Sequence, residues 1–223
     1  MFKSVPNLQT KEQYAYTTLR DAIIRCELAP GEKLVIDHLS TEMGLSQIPI
    51  RTALQRLQSE GLVIINPHAG AIVAPLPSEK IAEVFALLES LERTAFTIAA
   101  QNRTDADLID LANILDQMDA VLSNPDPSDW LVLNCAFHRR IATITAMPLL
   151  IDFTARTLDE WMRISHHYFA NITSTRLPQT QAEHRQIIDL LRARDTDALE
   201  SLAAAHNRDA NRSYQALLNK TES

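Results

Sequence analysis

The spacing of apolar residues changes along the chain, and each change predicts a change of element. Tyr16, Leu19, Ile23 and Ile24 recur at helical intervals and predict an amphipathic helix from about Lys11 to Cys26. Ala29-Pro30-Gly31 then turns the chain. A short helix is expected from His38 to Met43, with Asp37 as its cap and Gly44 as its stop. Ser46 is placed to cap a further helix that buries Ile50, Ala53, Leu54 and Leu57. Leu62–Ile65 and Ala71–Val73 read as two short strands joined by Asn66-Pro67-His68-Ala69-Gly70. From Ser78 onward the period is helical throughout. Helices are expected over 78–102, 105–122, 128–145, 148–168, 179–193 and 196–218, with breaks at Asn124-Pro125-Asp126-Pro127 and Arg176-Leu177-Pro178.

This order predicts a mainly α protein: an N-terminal winged helix-turn-helix followed by an antiparallel all-helical bundle. The first domain is expected over 1–74 and the second over 78–223. Pro75-Leu76-Pro77 forms a short stiff linker, and Ser78 is a candidate cap for the next helix. A chain of 223 residues accommodates two such domains. No apolar run approaches the ~20 residues of a membrane span. The first residues lack the apolar core of a signal peptide, so a cytoplasmic location is expected. Cys26 and Cys135 both fall in predicted helices and read as reduced packing residues.

The net charge of −7 argues at first against a nucleic-acid partner. Through Leu76, however, seven basic residues balance seven acidic ones, so the excess negative charge belongs to the helical domain. A neutral module binds double-stranded DNA when its cations converge on one face. With Ile50, Ala53, Leu54 and Leu57 buried, the second short helix turns Gln47, Ile48, Arg51, Thr52 and Gln55 outward. Short polar and cationic side chains at the start of such a helix suit base edges and phosphates in a major groove. Ser46, Gln47, Ile48, Arg51, Thr52 and Arg56 are therefore candidate DNA contacts, with His68 and Gly70 at the tip of the wing. Two short helices around a glycine also describe an ordinary helical hairpin; the added strand pair favours the DNA-binding reading.

The residues of this unit resemble the GntR family. The matching stretches are Leu28-Ala29-Pro30-Gly31-Glu32-Lys33-Leu34, then Leu45-Ser46-Gln47-Ile48-Pro49-Ile50-Arg51-Thr52-Ala53-Leu54, then Leu57 through Glu60-Gly61-Leu62-Val63, and Gly70 before Val73. The resemblance implies a DNA-binding regulator that works as a homodimer on an operator with two half-sites. Gln47 stands where the family usually has Arg, and Thr52 where it usually has Glu. Loss of an arginine able to read guanine is expected to change the preferred operator.

In the second domain His138, His184 and His206 lie on the core-facing stripes of three different helices. Two readings stand side by side: satisfied core histidines, or ligands that a divalent metal satisfies together. His166 and His167 are neighbours near a helix end and read as surface residues.

This domain resembles the FCD ligand-binding domain of the FadR subgroup. The resemblance rests on Glu83-Val84-Phe85 through Leu91-Glu92, on Ala99-Ala100, on Asn134-Cys135-Ala136-Phe137-His138, on Glu183-His184 and on Ala203-Ala204-Ala205-His206. It implies a small-molecule effector, expected to be an organic acid with a carboxylate, beside a metal held by His138, His184 and His206. Asn134 stands where the family usually has Asp and would be a weaker fourth ligand. The metal is expected to be a divalent transition ion, zinc or nickel. Because Asn leaves the ion's charge undiminished, an anionic effector is expected to complete its shell. Leu88 stands where the family often has a pocket-facing Arg, which opens the site to a more apolar ligand. Arg139, Arg156 and Arg163 lie on neighbouring helices; they either replace that Arg or are solvated surface charges. The competing reading is a metal-dependent hydrolase built on the same three histidines. Neither an H-E-x-x-H motif nor an assignable general base supports it.

Overall fold

Thr10 starts the first helix, its hydroxyl accepting a hydrogen bond from the Gln13 backbone N–H at 3.1 Å. The computed structural model describes residues 10–67, 70–122 and 128–221 and divides into two units, Met1–Leu76 and Pro77–Ser223. In the first unit, α1 runs Lys11–Ile24, β1 Lys33–Leu34, α2 Ile36–Met43, α3 Gln47–Ser59, β2 Val63–Asn66 and β3 Gly70–Val73. Helix α1 stops before its expected end because Cys26 takes a left-handed φ of 55°.

Helix α2 begins two residues before the expected start. Val35 holds its N-cap position and offers no capping oxygen. Asp37 lies within the first turn, where its carboxylate accepts from the Gln47 amide across the turn. Gly44 ends the helix at φ 63°, a left-handed conformation that costs a side-chain-bearing residue about 1–2 kcal/mol. Ser46 sits at the N-cap of α3, but its side chain makes no capping hydrogen bond.

The sheet has the order β1-β3-β2. Val63 pairs with Val73 and Asn66 with Gly70 in the hairpin, while Lys33 pairs with Ile72 on the other edge. Strand β1 was not expected, because two residues are too short to show a period. Ala15, Leu19, Ile23, Ile50, Leu54, Leu57, Val63 and Val73 form the core of this unit. Fully burying each of the larger side chains contributes about 1.5–3 kcal/mol.

The second unit contains α4 (Ser78–Asn102), α5 (Asp105–Val121), α6 (Ser128–Ile144), α7 (Pro148–Ala193) and α8 (Thr196–Thr221). Pro77, not Ser78, holds the N-cap position of α4. Thr104 and Asp107 form a reciprocal capping box on α5. The Asn124–Pro127 break lies outside the described residues.

Pro178 does not break the chain: the two helices expected around it form one continuous α7. An interior proline removes one helical hydrogen bond and costs about 3 kcal/mol. Contacts from distant residues offset that cost here. Arg176 Nη2 donates to the His206 carbonyl at 3.1 Å, Gln181 Nε2 donates to the Leu115 carbonyl at 3.1 Å, and Leu177 packs against the core. Helix α4 packs chiefly on α8 and α7, and α5 on α6. Between them lies a core that includes Phe96, Leu111, Met118, Leu131, Phe137, Ile141, Ile187, Leu191 and Leu199. Among the described residues no helix is long and apolar enough to cross a membrane.

Candidate DNA-reading helix and histidine-lined cavity

Helix α3 buries Ile50, Ala53, Leu54 and Leu57, and this fixes what faces outward. Ser46, Gln47, Ile48, Arg51, Thr52, Gln55 and Arg56 are exposed. The outer side chains are tied to one another. Gln47 donates to Asp37 and accepts from Arg51 Nη2 at 3.2 Å, and the Thr52 hydroxyl donates to the Ile48 carbonyl at 3.2 Å. A groove between α3 and the hairpin is lined by Arg51, Gln55, Asn66, Pro67 and Gly70. The sequence places Asn66 and Pro67 in the wing turn but not among the candidate DNA contacts, since their place beside α3 depends on how the hairpin folds back. His68 lies outside the described residues.

Arg56 is engaged differently from Arg51. Its guanidinium lies 3.5 Å from the centre of the Tyr16 ring, and Nη1 donates to Gln13 at 3.2 Å. The Tyr16 hydroxyl donates to Glu60 at 2.9 Å, and burial together with Glu60 raises its pKa. Arg56 thus braces α3 against α1.

In the second unit α6, α7 and α8 bring His138, His184 and His206 together. One nitrogen from each ring lies within 4.8 Å of the others, and all three side chains are buried. Every Nδ1 has an oxygen beside it. His138 Nδ1 lies 2.7 Å from Glu92 Oε1 in a close but bent contact, His206 Nδ1 lies 2.6 Å from Glu183, and His184 Nδ1 lies 3.5 Å from the Gln181 side-chain oxygen. An Nδ1–H facing an acceptor leaves Nε2 with a free lone pair. His184 Nε2 and Asn134 Oδ1 are buried without a hydrogen-bond partner.

The charges agree with a neutral His184 imidazole near ionised carboxylates. Burial, and then the neighbouring His138 and His206, hold the His184 pKa well below its usual value. Burial alone would raise the Glu92 pKa, but His138, His206 and Asn207 outweigh it and hold it below the usual carboxylate range. Glu183 is lowered in the same way, with His206 and Arg176 outweighing burial. Three imidazole nitrogens and an amide oxygen, two of these atoms lacking any partner, suit a divalent transition ion. Carboxylates behind the histidines are the usual outer support of such a site.

Of these, His138, His206, Glu92 and Asn134, but not His184, border a cavity of about 60 Å³ walled by Phe85, Leu131, Leu158, Trp161, Leu177 and Tyr214. Its polar lining includes Glu92, Trp130, Asn134, His138, Arg176, Thr180, His206 and Asn207. The guanidinium at this cavity is that of Arg176; Leu88, Arg139 and Arg163 are not among its lining residues. Leu88 is buried in the packing of α4, Arg139 pairs with Asp159, and Arg163 lies 3.6 Å from Glu160. Sequence reasoning missed Glu92 and Arg176 as site residues. A charged residue at a core-facing helical position was the signal available for Glu92; Arg176 sat beside the proline read as a break.

Residues 11–73 match the gntR family of bacterial regulatory proteins, and residues 83–209 match the FCD domain. The transcriptional repressor RspR of Escherichia coli is 24% identical over 209 residues, covering 94% of this chain and 91% of its own. The Nta operon transcriptional regulator of Aminobacter aminovorans is 27% identical, covering 79% of this chain and 81% of its own. The solved structure of E. coli McbR superposes with a TM-score of 0.81 at 21% identity, over 94% of this chain and all (100%) of that one. A Rhodococcus transcriptional regulator superposes with a TM-score of 0.77 at 23% identity, over 92% of this chain and 98% of that one. These proteins are transcription regulators, not enzymes, and the fold is theirs. The chain belongs to the GntR family of bacterial transcriptional regulators, with an FCD domain behind its winged helix-turn-helix.

Proposed function

We propose that this regulator binds its operator as a homodimer and that a small organic acid, held beside a divalent metal in the FCD domain, controls that binding. The single observation that carries the reading is the histidine cluster: three buried rings, each with a side-chain oxygen within 3.5 Å of its Nδ1. His138, His184 and His206 would hold the ion, zinc or nickel, with Asn134 as a weaker ligand. When bound, the ion supplies positive charge and an open position for an anion.

The chain's own residues set the rest. Glu92 and Glu183 orient His138 and His206, and Arg176 offsets the charge of Glu183 through a 3.3 Å contact. A divalent ion in that setting leaves a net positive charge, which favours a carboxylate over a neutral molecule. The apolar walls favour a compact hydrocarbon body over a second charge. The effector acts by binding one arrangement of the two DNA-reading heads more tightly than the other. On the DNA side, Ser46, Gln47, Ile48, Arg51 and Thr52 face one half-site, with Arg51 as the principal contact, Arg56 beside them and the wing at Gly70 reaching the adjacent groove. Two half-sites give the specificity that one small module lacks. A protein that reads the chromosome works in the bacterial cytoplasm. The hydrolase alternative has no support among the relatives.

Selection on random duplexes, followed by calorimetry of small acids on metal-loaded and chelated protein, tests the proposal. Enrichment of a palindrome and metal-dependent acid binding are expected. If no palindrome emerges, the homodimeric operator is wrong; equal acid affinity with and without metal removes the metal from effector binding.

A further inference from the structure

The lining of the cavity includes a buried donor that the metal reading leaves unused. Trp130 lines the cavity and is 3% exposed, and its indole Nε1 has no hydrogen-bond partner. A buried N–H without an acceptor is destabilising, so such groups are rarely left unmatched.

Two of the acceptors around the cavity are committed elsewhere, and the metal reading assigns a third, Asn134 Oδ1, to the ion. Glu92 faces His138 through one oxygen and accepts from Asn207 through the other, at 2.7 Å each. The Tyr214 oxygen shares a 2.7 Å hydrogen bond with Ser165. A molecule that fills the cavity can bring the acceptor that Trp130 lacks.

Helix geometry sets where that acceptor belongs. Trp130, Asn134 and His138 follow one another at intervals of four on α6, and each interval advances about 6 Å along the axis. The Trp130 ring also lies 6.2 Å from the His184 ring, centre to centre, so the indole is only a few bonds' length from the histidine cluster. The cavity is small, about 60 Å³, so it suits a compact molecule.

We propose that Trp130 is a second anchor of the effector site, and that the effector is a compact acid with a hydrogen-bond acceptor, a carbonyl or ether oxygen, a few bonds beyond its carboxylate. The inference rests on the reading of the cavity as a metal-assisted acid site. The carboxylate lies at the histidine end, and the remote oxygen accepts from Trp130 Nε1. Trp130 then discriminates such acids from plain alkanoates of the same shape, because an alkanoate leaves the indole N–H unmatched.

Titration calorimetry of the full-length zinc-loaded protein tests this with a near-isosteric pair, 4-oxopentanoate and 4-methylpentanoate. The wild type is expected to prefer the keto acid by about tenfold, the size of one well-made buried hydrogen bond. Trp130→Phe keeps an aromatic body and is expected to abolish that preference while still binding the methyl acid. Thermal unfolding of the variant checks that the fold is retained. A preference that survives in Trp130→Phe, or equal weakening of both acids, overturns the anchor and leaves Trp130 as packing. No preference in the wild type also overturns it, with a water then serving as the acceptor. If neither acid binds the zinc-loaded wild type, the acid-site reading fails first and the anchor with it.

Discussion

Glu92 on α4 lies 2.7 Å from Nδ1 of His138 on α6, and both side chains are almost fully buried. The pair joins the helix nearest the linker in sequence to the histidine cluster. Glu92 also holds Asn207 on α8, so one carboxylate fixes two elements of the cavity.

Glu92→Gln is expected to weaken metal binding by about 10–100-fold, the usual effect of removing an outer partner of a ligating histidine. Competition against a chromogenic chelator measures it. Unchanged zinc affinity would show that His138 is oriented without the carboxylate.

Arg51 and Arg56 are expected to separate in their effects. Arg51→Ala should weaken operator binding by about 1–3 kcal/mol, the cost of one base-reading arginine, and leave the melting temperature unchanged. Arg56→Ala should lower the stability of the first unit, because it removes the contact with Tyr16 and the hydrogen bond to Gln13. Fluorescence anisotropy on the selected operator and thermal melts distinguish the two. A thermal defect in Arg51→Ala would make it a structural residue.

Gly44→Ala isolates backbone strain. A Cβ at this position meets nothing within 4 Å, so the φ of 63° is the only obstacle. The variant is expected to lose about 1 kcal/mol of stability. Chemical denaturation reads that loss directly; an unaffected midpoint would mean that the turn relaxes freely.

Asp107 gives the second unit an acid-sensitive element. Its pKa is lowered chiefly by the Thr104 backbone N–H, against the opposing effect of burial, with the Thr104 hydroxyl and Arg140 adding to the lowering. A carboxylate with a depressed folded-state pKa contributes stability above its unfolded value of 3.8, and that contribution is lost as pH falls through the lower folded value. Asp107→Ala should cost about 1 kcal/mol near neutral pH, as for other capping residues. The gap between variant and wild type should close as pH falls from 3.8 through the lower folded value. Melting curves at several pH values test this, and a gap that persists in acid would place the effect in packing.

The sequence by itself determined the features that depend on neighbours a few residues apart. Periodicity marked the buried side of α3, and therefore its exposed side, because a helix repeats every 3.6 residues whatever surrounds it. The same period put His138, His184 and His206 on inward stripes. Motif spacing identified the family, since its glycine and proline turns are local.

Tertiary structure decided what rests on partners far along the chain. Strand β1 exists because Lys33 and Leu34 meet β3. Helix α7 passes through Pro178 because Arg176 is held by the carbonyl of His206, thirty residues away. That contact also places Arg176 at the cavity, while Arg139 and Arg163 are drawn to Asp159 and Glu160. Asp37 serves Gln47 instead of capping α2. In each case the local preference was worth only a few kcal/mol, and contacts that no local pattern encodes were enough to override it.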